Sequence, residues 1–192
     1  MWERKRAKAR NAIQREALRL FADRGFAATT VEQVAEAADV APSTVFRHFP
    51  TKQDLLVLDG YHPLLVPLRE AFAAQPAERT ALQALRGALA AVFAAMPDAE
   101  RAARYERDVA MVTIPELWSA NLGLVAKGMD AIADLVAERS GRAPDDARVR
   151  GLARVVSGAC FAALLDWSRN PEGDPAQAID EALSHITDPP PL

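Results

Sequence analysis

The sequence is poor in the residue types that carry most catalysis and metal binding. It holds one cysteine, Cys160, in 192 residues. No disulfide can therefore close within the chain, and the composition fits a reducing cytoplasm. The histidines His48, His62 and His185 stand far apart and match no metal-ligand spacing. No glycine-rich phosphate loop and no nucleophile-elbow pattern occurs. Cys160 sits in an apolar stretch, where a thiol is ordinarily inert packing. Glu106 and Asp108 project differently from a helix and make a poor acid–base pair. These absences argue against an enzyme, with a helical hydrolase left as the alternative, and nothing in the chain calls for a cofactor.

Long apolar runs are missing too. The longest, Val155 to Leu165, is too short to span a bilayer. The basic start, Met1 to Arg10, is followed by no apolar segment of the kind a signal peptide needs. The expectation is a soluble, cytoplasmic protein without membrane contact. Aromatics make up only 6% of the chain while alanine is abundant. That balance favours helices over strands.

What charge there is falls unevenly. Residues 1–55 carry ten Lys/Arg and seven Asp/Glu, a net of +3; the remainder carries thirteen and nineteen, a net of −6. A basic end on an acidic body points to one surface for a polyanion and another for something else.

The helical signals are local and repeated. Ile13, Ala17, Leu20 and Phe21 fall on one face of a helix expected over about Glu3–Arg24. Gly25 ends it, and Phe26 is placed to fold back against it. Thr30-Val31-Glu32-Gln33 is a capping box opening a short helix. Asp39 interrupts, and Pro42 opens a third segment running to about Phe49. Pro50 stops that segment. Thr51-Lys52-Gln53-Asp54 reads as the cap of a fourth helix carrying Leu55, Leu56 and Leu58. Beyond Gly60, helices are expected at about Pro63–Ala74, Glu78–Ala95, Asp98–Val112, Glu116–Ser140, Asp145–Arg169 and Pro175–Ile186. The tail Asp188 to Leu192 is expected to fray. The expected fold class is all-α: an N-terminal three-helix domain over 1–58, with two short helices and a turn at about 30–49, and a second helical domain over 59–187.

Two short helices joined by a tight turn are the layout of a helix-turn-helix. Val45 and Phe49, four apart, are expected to face the core. Ser43, Thr44, Arg47 and His48 are then left outward, where such groups bond bases and phosphates. Lys52 is placed to meet a phosphate. Thr51 reads as a cap alone. Arg4, Lys5, Arg6, Lys8 and Arg10 form either an arm reaching DNA or a solvated helix face.

Ala17 to Ala35 followed by Val40 to Leu56 closely resembles the DNA-binding domain of the TetR family of bacterial regulators. The Gly-Phe, Thr-Thr-Val, Phe-Arg-His-Phe and Lys-Gln-Asp-Leu-Leu signatures occur in the family's order and spacing. The resemblance implies an all-helical homodimer that represses from a palindromic double-stranded operator and is released by a small effector. It implies that Thr30 and Lys52 touch phosphates, that Ser43 and Thr44 face bases, and that Arg47 and His48 meet the backbone or a base edge. Three positions depart from the family's pattern: Asp39 for a turn glycine, Ala41 for a capping serine, and Phe46 for a tyrosine that often bonds a phosphate. A ligand-binding module that no longer reads DNA is the second reading these departures leave open.

In the C-terminal half, Trp118, Leu122, Val125, Met129, Ile132 and Val136 make one apolar stripe. The stretch Val155 to Leu165 is apolar nearly all round with small residues interspersed, so it needs burial on every side. A dimer interface from helices about 116–140 and 145–169 is expected. Phe93, Met96, Tyr105, Met111, Trp118, Phe161 and Trp167 are candidates for an effector pocket, and each could equally be plain core. The segments 114–118 and 137–146 weakly resemble a subgroup that includes the mycofactocin-associated regulators. That resemblance implies a hydrophobic or acyl-bearing effector.

Overall fold

The structure, a computed structural model, describes residues 2–58 and 64–186, with the backbone alone for residues 2–5. The expectations for Met1, His62, the start at Pro63 and the tail 188–192 lie outside the described residues. Every regular element described is helical: α1 (Trp2–Arg24), α2 (Val31–Ala37), α3 (Pro42–His48), a 3-10 turn (Gln53–Leu56), α4 (Leu65–Ala73), α5 (Ala81–Ala95), α6 (Asp98–Thr113), α7 (Pro115–Ala120), α8 (Leu122–Ser140), α9 (Ala147–Arg169) and α10 (Pro175–Ser184). None of these is long and apolar enough to cross a membrane. The chain forms two compact units. One joins Met1–Asp59 to Glu106–Leu122; the other joins Gly60–Tyr105 to Gly123–Leu192.

The first unit is built on the α1 stripe. Ile13, Ala17, Leu20 and Phe21 are buried, together with Val34, Ala35, Val45 and Phe49. Gly25 ends α1 in the left-handed region (φ 83°), and the Phe26 ring stands edge-on to Phe21 at 5.0 Å. Buried Thr29 donates its hydroxyl to the carbonyls of Leu20 and Gly25, so the end of α1 is closed by a side chain. The capping box forms as read. Gln33 N–H donates to the Thr30 hydroxyl, and Thr30 N–H donates to Gln33 Oε1.

Two expectations in this unit fail for one reason. The segment after Thr51 makes only the 3-10 turn, not a helix reaching Leu58. The stretch 116–140 is not one helix but α7 and α8, broken at Asn121. Gln14 Nε2 donates to the carbonyls of Leu55 and Val57 (3.0 and 2.8 Å). Asn121 Nδ2 donates to the carbonyls of Leu56 and Leu117 (both 2.7 Å), and its Oδ1 accepts from Leu58 N–H. Backbone groups that a continuing helix would pair internally are taken by these two buried amides.

The second unit packs α4 against α5, and α10 against both α5 and α9. A second capping box, Thr80 with Gln83, opens α5. Its start at Ala81 rather than Glu78 follows from that cap. Arg139 donates to the carbonyls of Pro76 and Arg79 and lies over the Phe72 ring, which fastens the α4–α5 connection. Gly87 lets that connection approach, since a Cβ there would run into the Gln75 side-chain amide.

Candidate nucleic-acid interface and effector cleft

The recognition helix α3 is short and sharply divided. Val45 and Phe49 anchor it in the core. At about 100° per residue, Ser43 and Arg47 lie opposite those anchors and form an exposed crest. Thr44 and His48 occupy one flank; Pro42 and Phe46 occupy the other. The turn before it is made by Asp39 in the left-handed region (φ 53°), a conformation aspartate tolerates better than most residues. Ala41 stands at the N-cap with no side-chain hydrogen bond. Pro42 has no N–H and the Thr44 N–H donates to the Ala41 carbonyl (2.8 Å), so at this end of α3 the Ser43 N–H is left to water.

The Thr44–His48 flank faces basic company. Burial, then the guanidinium groups of Arg47, Arg6 and Arg10, hold the His48 imidazole below its ordinary value. It is neutral at pH 7 and bonds as a neutral donor or acceptor. Arg10 donates to the His48 carbonyl (3.4 Å) and lies 4.5 Å over the Phe49 ring. Its charge complements the C-terminal end of α3. Residues 2–10 belong to α1. The basic N-terminal residues are thus carried on a helix, with Arg6 and Lys8 exposed on it.

Thr30 is exposed at the start of α2. Lys52 is half-buried: its ammonium lies 4.3 Å over the Phe26 ring and donates to the Ala27 carbonyl. An ammonium has three donors, so that anchorage orients it and leaves hydrogens for a phosphate. Thr51 does act as a cap, exchanging hydrogen bonds with Asp54. The structure thus brings Ser43, Thr44, Phe46, Arg47 and His48 onto one seven-residue helix, with Thr30 and Lys52 on the neighbouring elements. What sequence reading missed is the pair Gln14 and Asn121, whose partners around the 3-10 turn lie 41 to 65 residues away along the chain.

In the second unit a cleft of about 320 Å³ opens between α5, α10 and the start of α6. Leu89, Phe93, Ile179 and Leu183 give it an apolar lining; Arg86 and Arg101 stand on its rim. Arg86 is held by a two-pronged pair with Asp180 (2.8 and 3.0 Å), which lowers the Asp180 carboxyl below the usual range. The Tyr105 ring packs on Phe93 at 5.6 Å. Its hydroxyl donates to Asp174 (2.7 Å), the N-cap of α10. Phe93 and Tyr105 are the pocket candidates that come together. Met96 lines a different groove, between α4 and α5. Phe161 and Trp167 lie on α9, with the Trp167 indole donating to the Glu172 carbonyl. Met111, which is buried, and Trp118 belong to the first unit. Arg86, Ile179 and Leu183 were not anticipated, because α10 meets α5 only through the fold.

A tight turn between two short helices, with polar side chains along the outer crest of the second, defines a helix-turn-helix DNA-binding protein. Residues 13–57 match the family model described as bacterial regulatory proteins, tetR family, and residues 79–191 match that of the MftR C-terminal domain. The chain belongs to the TetR family of transcriptional regulators, with a C-terminal region of the mycofactocin-regulator type.

Its relatives include the HTH-type transcriptional regulator TcmR of Streptomyces glaucescens. The two are 40% identical over 102 residues, which is 51% of this chain and 43% of that protein. The mycofactocin biosynthesis transcriptional regulator MftR of Mycobacterium tuberculosis is 28% identical over 185 residues, 96% of this chain and 90% of that one. Among solved structures, the Thermus thermophilus repressor FadR in complex with lauroyl-CoA superposes with a TM-score of 0.53 at 25% identity. That match covers 95% of this chain and 98% of FadR.

Proposed function

We propose that this regulator is a cytoplasmic homodimeric repressor that binds a palindromic operator through Thr30, Ser43, Thr44, Phe46, Arg47, His48 and Lys52, and is released by a small hydrophobic or acyl-bearing effector. The domain limits that go with this reading are 1–58 for DNA binding and 59–187 for sensing and dimerisation. The observation that carries it is the crest of α3, where Arg47 is exposed, opposite the buried anchors, on a helix that has no other use for it. Arginine there can take guanine in two hydrogen bonds.

Dimerisation is supported by apolar surface left uncovered on α8 and α9. Leu122 is 55% exposed and Val155 51%; Gly158 and Ala162 are exposed beside Val155, and Met129 and Ile132 are only half-covered. Small residues on such a face let a second copy's helices approach closely. A dimer holds two recognition helices for half-sites one helical turn apart, roughly 34–36 Å. The effector site is assigned to the cleft lined by Phe93, because its apolar floor and charged rim suit an amphipathic molecule. Release is a population shift: the effector favours a form whose recognition helices are misspaced for the operator.

The test is fluorescence anisotropy on labelled DNA from upstream of the protein's own gene, at two salt concentrations, against an unrelated duplex. Preferential, salt-sensitive binding is expected. Arg47→Ala should weaken it about ten- to hundredfold with the dimer intact. Equal, weak binding to every duplex, unchanged by Arg47→Ala, would remove the repressor reading.

A further inference from the structure

The crest and one flank of α3 are polar, but the other flank is not. Phe46 is 45% exposed on it, one of the few large apolar side chains that the described residues of the first unit leave in water. Pro42, one turn before it, is exposed too. Neither is the anchor of α3, since fully buried Val45 and Phe49 hold it in the core. A phenyl ring has no hydroxyl, so a phosphate oxygen brought against it would lose water and gain no hydrogen bond. Sugar edges offer no sequence information. Among the groups the major groove displays, the one apolar group is the C5-methyl of thymine.

We propose that Phe46, backed by Pro42, is a specificity-determining residue that reads a thymine methyl in each operator half-site. Arg47 on the neighbouring crest reads an adjacent hydrogen-bonding base edge. The division of labour follows from the helix. Residues 43 and 47 point straight out, residues 44 and 48 lean toward the basic face of α1, and residues 42 and 46 lean the other way with nothing polar to offer. The half-site therefore carries a thymine at a fixed step from the base that Arg47 contacts. This inference rests on the reading of the chain as an operator-binding regulator.

The experiment uses the full-length protein. Its preferred duplex is first selected from a random pool, and each thymine in it is then replaced in turn by deoxyuridine, which removes only the methyl. Binding is compared for the wild type, Phe46→Leu, Phe46→Ala and Arg47→Ala, with circular dichroism and sedimentation confirming that each variant is folded. One thymine per half-site is expected to lose about fourfold in affinity on replacement, the worth of one buried methyl. That penalty disappears in Phe46→Ala, shrinks in Phe46→Leu, and persists in Arg47→Ala. Uracil tolerated at every position, or a penalty undiminished in Phe46→Ala, would overturn the assignment to Phe46 while leaving the regulator intact. A pool from which no duplex is enriched would overturn the operator-binding reading itself.

Discussion

The crest of α3 in the first unit and the outer faces of α8 and α9 in the second expose opposite kinds of side chain. In the first unit, α3 turns Ser43, Thr44 and Arg47 outward and buries its apolar pair. In the second, α8 and α9 turn Val125 and Met129, and with them Val155 and Ala162, toward solvent or half-solvent. A polar crest can stand in water indefinitely and still bind a polyanion. An apolar face of several turns cannot be left wet without cost, at about 25 cal/mol per Å² of surface removable from water. On the proposed function, the first surface suits a partner that comes and goes, the second one that stays.

The sharpest way to break that contrast is to put a charge on the lasting surface. Val155→Asp should convert the dimer to monomer in analytical ultracentrifugation. It should lower operator affinity on the order of a hundredfold or more, because two half-sites are then no longer held together. Helix content should change little, since Val155 is half exposed and lies outside the buried core of its own protomer. A dimer that survives the aspartate would place the interface elsewhere.

The next effect is smaller and belongs to the first unit. Asn121→Leu removes the donor to Leu56 and Leu117 and the acceptor for Leu58 N–H. Leaving these buried backbone groups without partners costs about 2–4 kcal/mol, a fall in Tm of roughly 5–12 °C by calorimetry. Amide exchange at Leu58 should quicken in the same variant. Asn121→Asp keeps the acceptor for Leu58 N–H but sets a buried carboxylate oxygen against the Leu56 and Leu117 carbonyls, so its Tm should fall at least as far as that of Asn121→Leu. An unchanged Tm in both variants would show that the bonds carry no stability.

The smallest effect is one of pH. The His48 imidazole titrates lower in the folded chain than in the unfolded one. Protonation therefore favours unfolding. Stability is fully present above the ordinary imidazole value of about 6.5 and declines as the pH falls from there through the folded value. Thermal melts between about pH 7.5 and 5.5, the range that brackets that value, should show a slope that His48→Gln flattens. Equal slopes in both proteins would mean that neither burial nor the charges of Arg47, Arg6 and Arg10 disfavour the protonated ring.

How much of this was legible in the sequence depended on the range of the interactions. The cap at Thr30, the turn at Asp39 and the burial of Val45 and Phe49 are settled within a few residues, and the sequence pattern carries them. The capping box at Thr80 is just as local, and the expected start at Glu78 overlooks it. The break at Asn121 was not legible. Its side chain is diverted by backbone groups more than sixty residues away, and nothing between Trp118 and Val125 interrupts the apolar stripe. The cleft between α5 and α10 was legible only in Phe93, with Tyr105 packed on its ring. The residues that complete it come from α10, whose meeting with α5 no local pattern announces.

The two anchors of α3 have a consequence for descent as well as for binding. Val45 and Phe49 hold the helix, and the other residues of Pro42–His48 make no comparable demand on the core. Changes at positions 42, 43, 46 and 47 can therefore accumulate with little loss of stability. Lineages sharing this scaffold are free to drift apart in the sites they occupy on the chromosome, and a new regulatory address lies only one or two codon changes away.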